Sequence, residues 1–333
     1  MRTVFVTGGS GFVGGALLDA LAERGETVRA LARSPAAAAA VAMRGATPVA
    51  GDLSDVEALT AGMRGAELVV HAAAVLRGGW PDLAAMRRSN VDGSRAVLQA
   101  ARAAGVSRLV LVSTEQVILG DRPLVDADET WPYPERWPGP YARTKAEAEQ
   151  MMLAASTPEL ATVAVRPRMV WGPGDTTLLP ALVEAATSGR LRWVDGGMHL
   201  TSTTHVRNAV EGVLAAAERG RGGEAYFVTD GSPVPFREFA TELLATRGVE
   251  APTASVPGRV ARGLAGGAGA LWRLLPLPGR PPIDLDQVRV VGETCTLRDT
   301  RARTELGYEG HVTREAGLAE LRSERSHAGR PPE

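Results

Sequence analysis

The sequence predicts an α/β protein, a doubly wound parallel sheet followed by a smaller C-terminal lobe. Three observations carry this. Short apolar runs alternate with amphipathic, Ala-rich stretches through residues 3–165, the rhythm of strands crossed over by helices. A glycine-rich turn, Gly8-x-x-Gly11-x-x-Gly14, sits between the first run and the first stretch. After Pro167 the rhythm breaks, and Gly172-Pro173-Gly174 opens a loop before less regular helices. The expected division is a sheet domain over residues 1–170, a lobe over 171–328 and a frayed tail over 329–333.

Each element has its own warrant. Runs rich in branched residues mark strands at Thr3–Thr7, Thr27–Ala32, Thr47–Val49, Glu67–His71, Arg108–Ser113 and Thr162–Val165, because such side chains pack well on a pleated surface. Helical spacing marks Val13–Arg24, Ala36–Arg44, Val56–Met63, Leu83–Ala104 and Tyr141–Ala155. Crossovers should be right-handed. In the lobe, helices are expected at Leu178–Ser188, Asn208–Arg219 and Phe236–Arg247, with short strands at Arg192–Val194 and Ala225–Val228. Val256–Pro278 holds Trp272, several Leu and three Arg without an acid. Such a stretch lies at a membrane interface or caps an apolar pocket, and the cap is the reading taken. Trp171, Trp193 and Met198 line that pocket or pack in the core.

Composition removes several classes. The 333 residues carry 37 basic and 38 acidic side chains, a formal charge of −1, whereas a nucleic-acid protein would show a basic excess. The single Cys295 excludes an internal disulfide and a cysteine zinc cluster, and no metal is expected. The N-terminus lacks the pattern of a secretory signal, and no apolar run reaches the ~18 residues of a membrane span. A cytoplasmic compartment follows. Thirty-six of the 37 basic residues are Arg, and Lys145 is the only lysine. Lysine is a compact ammonium, arginine a planar fork. A lone lysine therefore marks a position where arginine will not do, unless it survived by chance.

The glycine turn supplies the first chemistry. Gly8 allows the tight turn, Gly11 admits backbone to a pyrophosphate, and Gly14 packs helix on strand. The helix N-terminus then offers free N–H groups and positive dipole to phosphates. Residues 1–170 thus read as a dinucleotide-binding domain and 171–328 as the substrate-binding lobe. No acid occurs between Arg29 and Met43, and Arg33 follows the second strand. An acid there holds a ribose 2′-OH, while an Arg accommodates a 2′-phosphate. NADP(H) is therefore the expected cofactor, with NAD(H) as the alternative. Asp52-Leu53 follows the third strand, where an acid receives the adenine amino group. Ala72-Ala73-Ala74 follows the fourth, where small residues leave room for the cofactor.

The fifth strand ends in Ser113-Thr114, and Tyr141-Ala142-Arg143-Thr144-Lys145 opens a later helix. Tyr141 and Lys145, four residues apart, share a helix face. An ammonium beside a phenol favours the phenolate, so Tyr141 is expected to titrate low enough to exchange a proton with an alcohol or ketone.

Taken in order, Thr7-Gly8-x-x-Gly11-x-x-Gly14, Asp52-Leu53, His71-Ala72-Ala73-Ala74, Asn90-Val91-x-Gly93, Val112-Ser113-Thr114, Tyr141-x-x-x-Lys145 and Arg166-Pro167 resemble the extended short-chain dehydrogenase/reductase family over nearly the whole chain. The resemblance implies a Rossmann fold, Tyr141 as acid/base, and Lys145 bridging the nicotinamide ribose and lowering the Tyr141 pKa. It makes Thr114 the hydroxyl that orients the reacting oxygen. Asn90 supports Lys145, often through water, or is a structural kink residue. It sets Phe12, Val13, Val112, Pro167 and Val170 along the cofactor, and implies a homodimer through the helices bearing Asn90 and Tyr141.

Within that family, dehydratases carry Asp-Glu after the Ser-Thr pair, where this chain has Glu115-Gln116. An amide is no general base. Sugar enzymes commonly carry an Arg before a His-Val-Asp-Asp segment, where this chain has Thr before His205-Val206-Arg207-Asn208. Thr203 to Ala209, Glu224 to Gly231 and Arg166 to Asp175 resemble the 3β-hydroxysteroid dehydrogenase-like branch, which interconverts secondary alcohols and ketones on apolar small molecules. Arg33 departs from that branch, whose steroid enzymes often carry an acid there. Glu115, Arg168 and Trp171 are the candidate substrate contacts, and Asn208 is structural or at the pocket edge. Two other readings remain, a nucleotide-sugar epimerase or dehydratase and a non-catalytic dinucleotide sensor.

Overall fold

The computed structural model describes residues 2–76, 83–275 and 285–328. In chain order the first part runs β1 (Thr3–Thr7), α1 (Phe12–Glu23), β2 (Thr27–Ala32), α2 (Pro35–Ala42), β3 (Thr47–Ala50), α3 (Val56–Met63), β4 (Leu68–His71), α4 (Leu83–Met86), a π-helical turn at Arg87–Asp92, α5 (Gly93–Ala103), β5 (Arg108–Val112), β6 (Leu124–Ala127), α6 (Pro140–Ala154) and β7 (Ala161–Pro167). The rest runs β8 (Val170–Trp171), α7 (Leu178–Thr187), β9 (Trp193–Val194), β10 (Leu200–Thr201), β11 (Thr204–His205), α8 (Val206–Arg219), β12 (Ala225–Val228), β13 (Val234–Pro235), α9 (Phe236–Thr246), β14 (Ser255–Val256), α10 (Gly258–Leu274), α11 (Leu285–Gly292), β15 (Cys295–Leu297) and α12 (Arg314–Ala328).

Seven parallel strands form the central sheet in the order β12-β7-β5-β4-β1-β2-β3. Side chains alternate between its two faces with the period of a strand. Val4 and Val6 pack in one core with Leu17, Leu18 and Leu21 of α1 and Val210 and Val213 of α8. Phe5, between them, packs in the other with Leu59 of α3, Val97 of α5 and Met152 of α6. The strand order reverses between β1 and β4, and ligands bind in the crevice beyond the strand ends at such a switch point.

The second layer is built from small sheets. One runs β13-β10-β15-β6, and two parallel pairs are β11 with β8 and β14 with β9. A boundary near residue 170 is therefore not a clean cut. The chain returns to the large sheet through α8 and β12, because the apolar face of α8 covers that sheet. Conversely, β6 leaves it to pair with β15. The helix expected over Leu83–Ala104 is interrupted by the π-helical turn, which inserts Asn90 at its centre. In the Val256–Pro278 segment, α10 buries Ala261 and Ala265 with Val194 and Val288, while Val260, Leu264, Leu271 and Leu274 are exposed. Residues 276–278 and the tail 329–333 lie outside the described residues.

Candidate active site

The glycine turn lies at the switch point. Gly8 has φ +78°, and a Cβ there would sit 2.6 Å from the Ala73 backbone nitrogen, so no other residue fits against the segment leaving β4. A Cβ on Gly14 would come 2.0 Å from the Gly8 carbonyl oxygen. Gly14 thus packs its helix against the turn itself rather than against a strand. Gly11 is exposed and caps α1. Phe12 opens that helix, half-buried with Val13, and its ring approaches Gly174 of the loop beyond β8. A Cβ on Gly93 would lie 3.0 Å from the Leu53 side chain, a tight fit between α5 and the segment after β3. Arg33 is exposed at the end of β2. Its charge reaches Asp52, whose carboxylate lies below its usual range mainly through hydrogen bonds from Ser54. This cradle of backbone against backbone, with room only for glycine, fits a dinucleotide. Pro167 ends β7 and pairs with Val228, and half-buried Val170 pairs with Thr204.

At the other end of the crevice, α6 carries Tyr141 in its first turn and Lys145 one turn on. Lys145 is buried and its ammonium donates to the Val112 carbonyl at 2.7 Å. Burial pulls its pKa down to about 8, against a smaller opposing effect of Glu149. The expected lowering of the Tyr141 pKa is not what the structure shows. Burial, and then the Glu115 carboxylate, push the phenol above its usual value, while the ammonium is turned to the end of β5. Ser113, beside it, holds a buried hydroxyl with no hydrogen-bond partner among the described residues.

A buried chain of hydrogen bonds joins the two ends. The Ser94 hydroxyl donates to the Asn90 carbonyl at 2.6 Å, so it can only accept from His71 Nε2, 2.9 Å away. His71 Nδ1 is then the acceptor for the Thr7 hydroxyl at 2.6 Å, and the network assigns the neutral tautomer. Burial, with the Lys145 charge adding to it, pulls the His71 pKa down to about 3. The Asn90 side chain accepts from the Val75 N–H at 2.8 Å and donates to the Val75 carbonyl and the Thr144 hydroxyl, each at 3.1 Å. Thr144 in turn donates to the Tyr141 carbonyl at 3.1 Å. Asn90 thus holds α6 by the residue before Lys145, on a π-turn of the kind often found at functional sites. His71 and Ser94 were not among the candidate site residues. The one sequence signal for them was His71 within its Ala-rich motif.

Thr114 caps the short 3₁₀ turn after β5, accepting from the Gln116 N–H at 3.3 Å and donating to Glu115 at 2.7 Å. Glu115 and Arg168 form an ion pair of 2.5 Å, both buried. Arg168 also donates to the Thr201 hydroxyl and the Val290 carbonyl, each at 3.0 Å. These two expected substrate contacts therefore spend most of their polar groups on each other and on the second layer. Trp171 is wholly buried, donates to Asp230 at 2.7 Å and packs edge-on against Phe239, so it is a core residue of the lobe. Trp193 is core as well, and Met198 is exposed. Asn208 donates to Asp230 and to the Val312 carbonyl and ties α8 to the segment before α12.

Residues 5–257 match the profile of the 3-beta hydroxysteroid dehydrogenase/isomerase family. The chain belongs to that family, within the extended short-chain dehydrogenases/reductases. It is 49% identical to a 4-hydroxy-2-methyl-3-oxo-4-farnesyl-3,4-dihydroquinoline-1-oxide ketoreductase of Stigmatella aurantiaca, over 97% of this chain and 96% of that one. It is 39% identical to a 2-alkyl-3-oxoalkanoate reductase of Stenotrophomonas maltophilia, over 96% and 98%. Among solved structures, a dTDP-glucose 4,6-dehydratase double mutant of Streptomyces venezuelae with NAD bound superposes with a TM-score of 0.76 at 26% identity, covering 99% and 98%. The protein is an oxidoreductase of the extended short-chain type that uses a nicotinamide dinucleotide. No described helix is long and apolar enough to cross a membrane.

Proposed function

We propose that the protein interconverts a ketone and a secondary alcohol on an apolar small molecule, with NADP(H) as cofactor. What supports this is the Lys145 ammonium held on the Val112 carbonyl, two residues before Thr114, with Tyr141 one turn earlier on the same helix, in a fold whose glycine cradle fits a dinucleotide. The relatives named as a ketoreductase and an oxoalkanoate reductase support it. When bound, the reduced nicotinamide supplies a hydride to the carbonyl carbon. Tyr141 gives its hydroxyl proton to the oxygen as the carbon–oxygen double bond becomes single, and recovers a proton from solvent. Lys145 places a positive charge at the end of β5, and Arg33 is set to meet a 2′-phosphate. Gln116 where a dehydratase has an acid speaks against water elimination. A panel of ketones and alcohols read by NADPH absorbance tests the proposal. Turnover confined to nucleotide sugars, with the cofactor retained, would overturn it.

A further inference from the structure

Five of the ten exposed large apolar side chains among the described residues stand on α10 or at its C-cap. At 3.6 residues per turn, Val260, Leu264, Leu271 and Leu274 fall within about 80° of one another round the helix, so they form one continuous stripe. Ala261 and Ala265, which pack with Val194 and Val288, lie about 120° round from its centre. The helix is thus fixed to the lobe by one face while the stripe points away. A cap over an apolar pocket would bury that stripe. Leu264 is 56% and Leu274 81% exposed, so the expected cap is not what α10 forms. Gly263 and Gly267 lie beside the leucines, and a Cβ on either would meet nothing within 4 Å. The aliphatic side chains therefore stand out singly, with no neighbour packed between them.

The charge of this segment has one sign. Residues 251–275 hold Arg259, Arg262 and Arg273 and no acid, in a chain whose overall charge is −1. Arg262 has Glu293 of the segment after α11 3.5 Å away, while Arg259 is exposed one residue before the stripe begins. Two copies set stripe to stripe would bring these arginines together without an acid of the segment to answer them, and like charges across an interface oppose association. An anionic bilayer answers the apolar stripe and the positive charge together. We propose that α10 seats the protein on an anionic lipid bilayer, lying in the plane of the headgroups with Leu264, Leu271 and Leu274 among the acyl chains. The helix has 17 residues, and no described helix is long and apolar enough to cross a membrane, so it lies on the surface. The contact is independent of the reaction assigned above.

Co-sedimentation of the full chain with vesicles tests the proposal, using phosphatidylcholine alone and phosphatidylcholine mixed in equal parts with phosphatidylglycerol. The wild type should partition onto the mixed vesicles roughly tenfold or more strongly than onto phosphatidylcholine, and added salt should weaken that binding. The double variant Leu264→Glu, Leu271→Glu changes only exposed positions, so its urea midpoint should match the wild type while its partition onto mixed vesicles falls by roughly tenfold or more. Arg259→Glu, which leaves the stripe intact, should lower binding to the mixed vesicles and not to phosphatidylcholine. A wild type that stays in the supernatant with the mixed vesicles overturns the proposal, as does a double variant that binds as tightly as the wild type. Equal binding to the two kinds of vesicle overturns the assignment to an anionic surface. If the wild type ignores vesicles but is a dimer that the double variant dissociates, the stripe belongs to a second copy of the chain and the proposal falls.

Discussion

At the residue scale, the chain's single lysine is the most informative position. Its ammonium is buried and donates to the Val112 carbonyl, where a guanidinium would bring a bulkier, planar head group. Lys145→Arg should lose at least tenfold in kcat although charge is kept, and an active variant would mark the lysine as an accident of composition. Tyr141→Phe removes only a hydroxyl. Turnover should fall by two to four orders of magnitude, about the share of a general acid, with NADPH affinity measured by fluorescence nearly unchanged. Arg33 is exposed, so water weakens its contact to a 2′-phosphate. The expected preference for NADP(H) over NAD(H) is about 1.5 kcal/mol, the low end for a charged hydrogen bond. Arg33→Ala should erase it. Calorimetric titration with both cofactors decides the matter, and equal wild-type affinities would return the choice to NAD.

At the element scale, the π-turn over Arg87–Asp92 joins the segment beyond β4 to α6. The side chain of Asn90 meets the backbone of Val75 twice and the hydroxyl of Thr144 once. Asn90→Ala leaves those buried groups unpaired, at a cost of roughly 1–3 kcal/mol each before relaxation. The urea midpoint should drop accordingly, and an unchanged midpoint would show that water replaces the amide. The position is visible in the sequence because asparagine is so rare here. Its partners are not, since Val75 and Thr144 reach it only through the fold.

For the molecule as a whole, two buried histidines govern behaviour in acid. Burial holds His71 at about 3 and His205 at about 4, below the usual 6.5. Below pH 6.5 the unfolded chain binds protons that the folded chain refuses. Their stabilising contribution is thus fully present above pH 6.5 and is lost as pH falls toward those values, by up to about 1.4 kcal/mol per pH unit for each group. Urea midpoints measured from pH 7 to about pH 5 should decline steadily. A flat midpoint would mean that neither site excludes its proton.

Local pattern was enough to reveal the sheet rhythm, the glycine turn and the Tyr141–Lys145 face. Each is written in spacings of two, three or four residues, which a strand or a helix converts directly into a shared face. Tertiary structure decided the rest. Apart from β9, the two-residue strands carry no local signal and exist because distant partners present hydrogen-bonding edges, as β8 does for β11. Chain order suggested a boundary near residue 170, but the apolar face of α8 belongs on the sheet and draws the chain back. Glu115 and Arg168 read as free polar groups beside a substrate. They become a buried pair because residues 53 apart in sequence meet where water is excluded, and a charge there needs an opposite charge within reach.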